Sequence, residues 1–261
     1  MAVKHDGNKR WVEMQLDLSA TPEQVWDAIA TSSNAAWFTK ADIEPRVGGA
    51  LRFDFGGGMI SKGEVTTWDP PRVFGYVERE WAEGAPPVAT EITITSRAGN
   101  RCVLRMVHSL FTSEEDWDDQ LESFEGGWPG FFVLLRAYLA YFAGAPAASF
   151  MAMAPATGDA LTVWKRLCGA LGLVGAEYGE HRSVTTSVEN LAGVVDHVHQ
   201  DASVRYVMVR LDAGLVLVGL YVKPTGVTTS LCRYFYGADA AARAAELEPA
   251  WRAWLTALVS G

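Results

Sequence analysis

The sequence predicts an α+β protein in which an antiparallel sheet wraps around a long C-terminal helix. Two tandem copies of this plan are expected, the second degenerate. Three observations predict it. A capped helix opens at Thr21-Pro22-Glu23-Gln24. Short alternating strands follow over residues 50–111, joined by turns too short for parallel crossovers. An aromatic amphipathic helix then closes the segment from Gly126-Gly127, and the same order recurs more loosely after residue 150.

Residues 11–18 set Val12, Met14, Leu16 and Leu18 against Trp11, Glu13, Gln15 and Asp17, the period-2 signature of a strand. Thr21 is placed to cap the helix that follows. Pro22 suits a first turn whose N–H has no partner, and Gln24 completes a capping box. Val25, Trp26 and Ile29 form that helix's apolar face, and a short helical or irregular piece carries Ala36-Trp37-Phe38. Gly48-Gly49 turns into a strand over 50–55, and Gly56-Gly57-Gly58 supplies the next hairpin. Further strands are expected over 59–68, 72–81, 89–97 and 101–111, with Asp69-Pro70-Pro71 and Ala98-Gly99-Asn100 between them.

The closing helix is expected to place Pro129 in its first turn, with Phe131, Leu134, Leu135, Tyr138 and Phe142 at helical spacing. Residues 144–149 read as a linker. In the second half Thr157 is placed to cap a helix carrying Leu161, Trp164, Leu167, Cys168 and Leu171. Strands are expected near 183–188, 193–199, 204–211, 215–222 and 227–236, with turns at Asp212-Ala213-Gly214 and Lys223-Pro224-Thr225-Gly226. A last helix carries Trp251, Trp254, Leu255 and Leu258, which stand from Pro249 as Phe131, Leu134, Leu135 and Tyr138 stand from Pro129. That shared register argues for duplication, with domains over 1–143 and 150–261.

Composition narrows the function. A formal net charge of −9, with no dense Lys/Arg stripe, argues against nucleic acid as a partner. The acidic stretch Glu114, Glu115, Asp116, Asp118, Asp119, Glu122 and Glu125 reads as a solvated helix face, with an acidic docking patch as the competing reading. Three widely spaced cysteines, Cys102, Cys168 and Cys232, point to buried thiols in a reducing compartment. No apolar run reaches membrane-spanning length, and the N-terminus carries no apolar signal core. A cytoplasmic protein without membrane insertion is expected.

Residues 11–142 resemble the activator-of-Hsp90-ATPase-homologue group (AHSA1) of the START/Bet v 1-like superfamily, the helix-grip fold. The resemblance rests on the Thr21–Ile29 helix, Trp37-Phe38, Val47-Gly48-Gly49, Gly63-Glu64-Val65, Trp68-Asp69-Pro70-Pro71-Arg72-Val73, Val107-His108-Ser109-Leu110-Phe111 and the Gly127-Trp128 helix opening. It implies a seven-stranded antiparallel sheet around a long helix, with a hydrophobic cavity between them. The second half is similar in outline alone, lacking the Gly-Gly turn, the double-proline turn and the histidine-containing strand end.

Strand parity selects the lining. Arg105 is hard to bury, so Cys102, Leu104, Met106 and His108 point inward, as do Leu51, Phe53 and Phe55 opposite Arg52 and Asp54. For 72–81 parity leaves both faces open. The expected ligand-binding set therefore includes Trp37, Phe53 and Phe55 near the sheet's start, and Leu104, Met106 and His108 on the last strand. Phe131, Leu134, Leu135 and Tyr138 complete it from the helix. Such a lining suits an apolar lipid- or polyketide-like molecule, with plain core packing as the alternative.

His108 is the inward titratable group, placed either to orient a ligand or to act as a general base. No nucleophile motif, cofactor site or nucleotide loop is present; Gly56-Gly57-Gly58 lacks the Gly-Lys-Ser/Thr run of a phosphate loop. His197-Val198-His199 has metal-ligand spacing but reads as a solvent-facing strand, so no metal is expected. Binding of a hydrophobic small molecule is the leading reading. A cyclase-, dehydratase- or hydrolase-like enzyme using His108 and a chaperone-ATPase-regulating interaction protein compete with it. A homodimer is left open.

Overall fold

The computed structural model describes residues 3–79, 81, 84–112, 117–223 and 226–260. The chain divides into two compact units, Met1–Gly144 and Ala145–Gly261. The first runs β1 (Lys4–Asp6), β2 (Lys9–Leu18), α1 (Pro22–Ala30), a 3-10 turn (Ser32–Ala36), β3 (Lys40–Ile43), β4 (Ala50–Asp54) and β5 (Ile60–Asp69). It continues through β6 (Val73–Glu78), β7 (Val88–Arg97), β8 (Arg101–Leu110) and α2 (Asp118–Tyr141). The second runs β9 (Ala147–Ala156), α3 (Ala160–Ala170), β10 (His181–Thr185), β11 (Asn190–Gln200), β12 (Val204–Leu211), β13 (Gly214–Lys223), β14 (Gly226–Tyr236) and α4 (Ala240–Val259).

Both sheets are antiparallel and share one topology. The first is ordered β1-β2-β8-β7-β6-β5-β4-β3 and the second β10-β11-β12-β13-β14-β9. In each, the strand before the short helix pairs with the strand before the closing helix, β2 with β8 and β9 with β14. The rest follow as successive hairpins. The resemblance implied seven strands; the first sheet has those plus the short β1, and the second has six. This is an α+β fold of tandem helix-grip type.

Local chemistry accounts for the entry helix. Thr21 accepts from the Gln24 backbone N–H at 3.3 Å while the Gln24 side chain accepts from the Thr21 N–H at 3.0 Å, so two donors without helical partners are satisfied together. Val25, Trp26 and Ile29 are buried beneath it. Trp26 meets Trp68 at 5.0 Å and Phe74 at 6.2 Å between ring centroids, closing the core at that end.

Four expectations are corrected. Helix α2 begins at Asp118, so Gly126, Gly127 and Pro129 lie inside it. Leu121, Trp128, Phe132, Leu135 and Leu139 are all buried along its inner face. At about 1.5–3 kcal/mol per side chain their burial outweighs about 1 kcal/mol for each glycine and about 3 for the proline. The segment read as a linker holds β9, whose alternating Phe150, Ala152 and Ala154 are buried. Helix α3 is capped by Asp159, accepting from Thr162 N–H at 3.0 Å, and not by Thr157. Strand β3 was not expected; it pairs with β4 from Lys40↔Asp54 to Ile43↔Leu51.

Cys102, Cys168 and Cys232 are free and buried, and burial pushes the Cys168 and Cys232 thiols up to about 12. Of the acidic stretch, Glu114, Glu115 and Asp116 lie outside the described residues, as do Pro224 and Thr225 of the last expected turn. Among the described residues no helix is long and apolar enough to cross a membrane.

Candidate functional site

The register of the first sheet lines up one row of side chains across five strands. Val12 on β2 pairs with His108 on β8, His108 with Thr90 on β7, Thr90 with Tyr76 on β6, and Tyr76 with Val65 on β5. All five are buried. The Thr90 hydroxyl lies 2.8 Å from His108 Nδ1. Burial drives the imidazole down to about 3, so the ring is neutral at physiological pH. Burial pushes the Tyr76 phenol well above its ordinary value, a rise partly offset by its contact with Thr90. The row is thus a string of three neutral polar groups.

Aromatic rings surround that string. Trp128 of α2 stacks on His108 at 5.5 Å and 21°. Phe38, at the end of the 3-10 turn, meets Trp128 at 4.9 Å, Phe131 at 4.8 Å, Phe55 at 5.5 Å and Phe53 at 5.8 Å. Phe53 meets Tyr76 at 5.5 Å, which joins the aromatic group to the polar row. Trp37 is fixed from the other side, its indole N–H donating to the Ala28 carbonyl at 2.8 Å. Its ring lies 6.2 Å from Trp128. These rings form one contact network between sheet and helix, beside buried aliphatic side chains such as Leu104 and Leu135.

Two charged groups stand at the end of the sheet. Arg10 is buried and paired in a two-pronged contact with Asp118, which anchors the start of α2. Glu78, two residues beyond Tyr76 on the same face, accepts a hydrogen bond from the Ser61 hydroxyl. Burial raises the Glu78 carboxyl above the usual carboxylate range, and that hydrogen bond offsets part of the rise.

The expected lining residues fall into two groups. Trp37, Phe53, Phe55, His108 and Phe131 come together in the ring network around Phe38 and Trp128. Leu104, Met106, Leu134, Leu135 and Tyr138 are buried. Met106 shares a deeper row with Met14, Ile92 and Phe74, and Leu104 one deeper still with Leu16 and Ile94. The Tyr138 hydroxyl accepts from the Gly144 N–H at 3.2 Å, and so serves the helix end. Sequence reasoning noted Phe38 and Trp128 as family markers without assigning them to the lining. It set Tyr76 and Glu78 on one face of 72–81 without settling whether that face points inward, and it missed Thr90 and Ser61 on the neighbouring strands.

The second unit fills the corresponding space differently. Glu189, in the turn before β11, accepts from Arg233 Nε at 2.9 Å and Nη2 at 3.0 Å, and from the Trp251 indole at 2.8 Å. Arg233 also donates from Nη1 to the Leu215 carbonyl at 3.0 Å and lies over the Phe235 ring at 4.5 Å. Its side chain is fully buried. The rings of His197 and His199 stack with Tyr206 at 5.6 and 5.0 Å, and His199 Nε2 lies 2.9 Å from Asp201. Among the described residues no group of three His, Cys, Asp or Glu is placed to hold a metal ion.

Comparison with known proteins gives the following. Residues 19–140 match the family model described as Activator of Hsp90 ATPase homolog 1-like protein. No curated protein matches the chain. Protein MLL2253 from Mesorhizobium loti is 24% identical, with 51% of this chain and 98% of that one covered, at a TM-score of 0.47. DynU16, a protein of the dynemicin biosynthetic locus, is 20% identical over 95% of this chain and 96% of its own, at 0.45. The di-domain ARO/CYC BexL of the BE-7585A biosynthetic pathway is 11% identical over 94% and 96%, also at 0.45.

Proposed function

With residues 19–140 matching the model of the Activator of Hsp90 ATPase homolog 1-like family, we propose that the first domain binds a hydrophobic small molecule, lipid- or polyketide-like, between its sheet and α2. The observation that carries this reading is the Tyr76–Thr90–His108 string, set beside the rings of Trp128 and Phe53 in an apolar interior. An apolar chamber with a few fixed polar groups is the usual form of a small-molecule site. Neutral groups suit hydroxyl or carbonyl oxygens on the ligand, because a neutral imidazole offers one donor and one acceptor.

The rings make entry an exchange. Phe38 and Trp128 turn aside, and their contacts with Phe53, Phe55 and Phe131 are replaced by contacts with the ligand. His108 orients the ligand; an imidazole held near a pKa of 3 is too weak a base to abstract protons at neutral pH.

The test is thermal denaturation of the full chain against fatty acids and aromatic polyketides, with native mass spectrometry of the purified protein. A ligand at a hundred times its Kd stabilises the native state by about 2.7 kcal/mol. We expect a rise in Tm that His108→Ala diminishes. No shift across the panel and no co-purifying small molecule would overturn the reading.

A further inference from the structure

At one end of the first sheet β6 stops, β7 starts, β8 stops and β2 starts. The register places Glu78, Val88, Leu110 and Arg10 in one row there, two residues along from the Tyr76–Thr90–His108 row. The two charged members of this row differ. Arg10 carries its counter-charge with it in Asp118. Glu78 has Ser61: among the described residues its hydrogen-bond donor is a neutral hydroxyl, and no Lys, Arg or His lies within ion-pair distance.

Gly63 is the residue opposite Glu78 on β5, and a Cβ there would come 3.4 Å from Glu78 Cγ and 2.5 Å from the Val77 carbonyl oxygen. Glycine therefore allows β5 and the Glu78 side chain to pack this closely. Beyond the same end of the sheet, Trp81 follows β6 and Trp117 precedes α2, with their ring centroids 6.0 Å apart. Indole faces attract cations. A carboxylate in such a place is costly when it has no counter-charge, and an incoming cation removes that cost.

We propose that Glu78, positioned by Ser61, recognises a basic amine on the hydrophobic ligand of the first domain. The inference rests on the binding reading above. Two residues along a strand span about 7 Å. The ligand therefore carries its amine about that distance from the oxygen that meets the Tyr76–Thr90–His108 string, with its apolar body against the rings.

Two probes of one shape test this. The Kd of 2-naphthylmethylamine and of 2-naphthalenemethanol is measured at pH 7 by calorimetry on the full chain, wild type and Glu78→Gln. Glutamine keeps the acceptor for Ser61 and removes the charge. We expect the wild type to bind the amine about tenfold more tightly than the alcohol, and the ratio to fall to about one in the variant. Equal affinities in the wild type overturn the amine assignment while leaving the binding reading in place, and that comparison needs no variant. A preference that persists in Glu78→Gln overturns the role of Glu78. Failure of both probes to bind overturns the inference together with the reading beneath it.

Discussion

The two units share a topology and differ in what lies between sheet and closing helix. In the first, rings surround three neutral polar groups, and Trp128 and Phe38 hold the arrangement through ring contacts. In the second, Arg233 and Glu189 form a buried ion pair that Trp251 and the Leu215 carbonyl complete. The difference teaches that one framework accepts two kinds of interior. Ring contacts are non-ionic, and each is worth about 0.5–1.5 kcal/mol beyond the area it buries, so losing one leaves no bare charge behind. A buried pair with its hydrogen bonds satisfied is different: removing either member leaves the other charge bare. The second interior is held by a charged pair, and the first by ring contacts around neutral polar groups.

The largest effect should come from breaking that pair. Glu189→Ala leaves the Arg233 guanidinium buried without its carboxylate, and should cost about 3–5 kcal/mol. Urea denaturation gives the loss, and hydrogen exchange should place it in β13, β14 and α4. Replacing both members, Glu189→Leu with Arg233→Met, should recover most of it, because an apolar pair needs no compensation. A single variant as stable as the wild type would show that the pair is not what fills this interior.

Acid should expose the opposite weakness in the first unit. The folded state holds His108 at about 3, against an unfolded value of about 6.5. Below pH 6.5 the unfolded chain binds a proton that the folded ring refuses. Stability therefore falls as pH drops from about 6.5 toward 3, by about 1.4 kcal/mol per pH unit and about 2 kcal/mol by pH 5. Glu78 works with the opposite sign: its raised carboxyl takes up a proton in the folded state first, so its contribution is lost as pH rises. His108→Phe isolates the histidine. The difference between the two stability profiles should have the slope of one proton, and identical profiles would remove His108 as the source.

The contrast between the units also explains what the sequence made legible. Strand β2 alternates, and on β8 the hard-to-bury Arg105 set the parity that placed Met106 and His108 inward, although Val103 and Val107 on the other face are buried too. Strand β6 is buried on both parities from Phe74 to Val77, and no alternation survives to tell whether the face of Phe74, Tyr76 and Glu78 points inward. Its orientation became known through pairing with Thr90, fourteen residues away in sequence and adjacent in space. Strand β9 alternates, but its inward residues include Ala152 and Ala154, too small to register as an apolar face. The Glu189–Arg233 pair joins residues 44 apart, a contact that depends on the whole second sheet being in place. Periodicity reports one face of one element; cross-strand chemistry needs the register.

The smallest effects fall on the short helices that follow the opening strand of each unit, where the units are most alike. Thr21 and Asp159 both accept from the backbone N–H three residues on. Thr21 gains a reciprocal bond from Gln24, whereas Asp159 caps alone with its charge at the helix N-terminus. Thr21→Ala removes the hydroxyl that accepts from the Gln24 N–H, keeps the backbone N–H that donates to the Gln24 side chain, and should cost about 1 kcal/mol. Asp159→Asn keeps the acceptor and discards the charge, so its fall in Tm should be the smaller of the two and should shrink further in high salt. If the asparagine variant lost more than the alanine variant, the charge at the second helix would matter more than the geometry the two caps share. The likeness between the units would then be one of topology, without a common way of starting the helix.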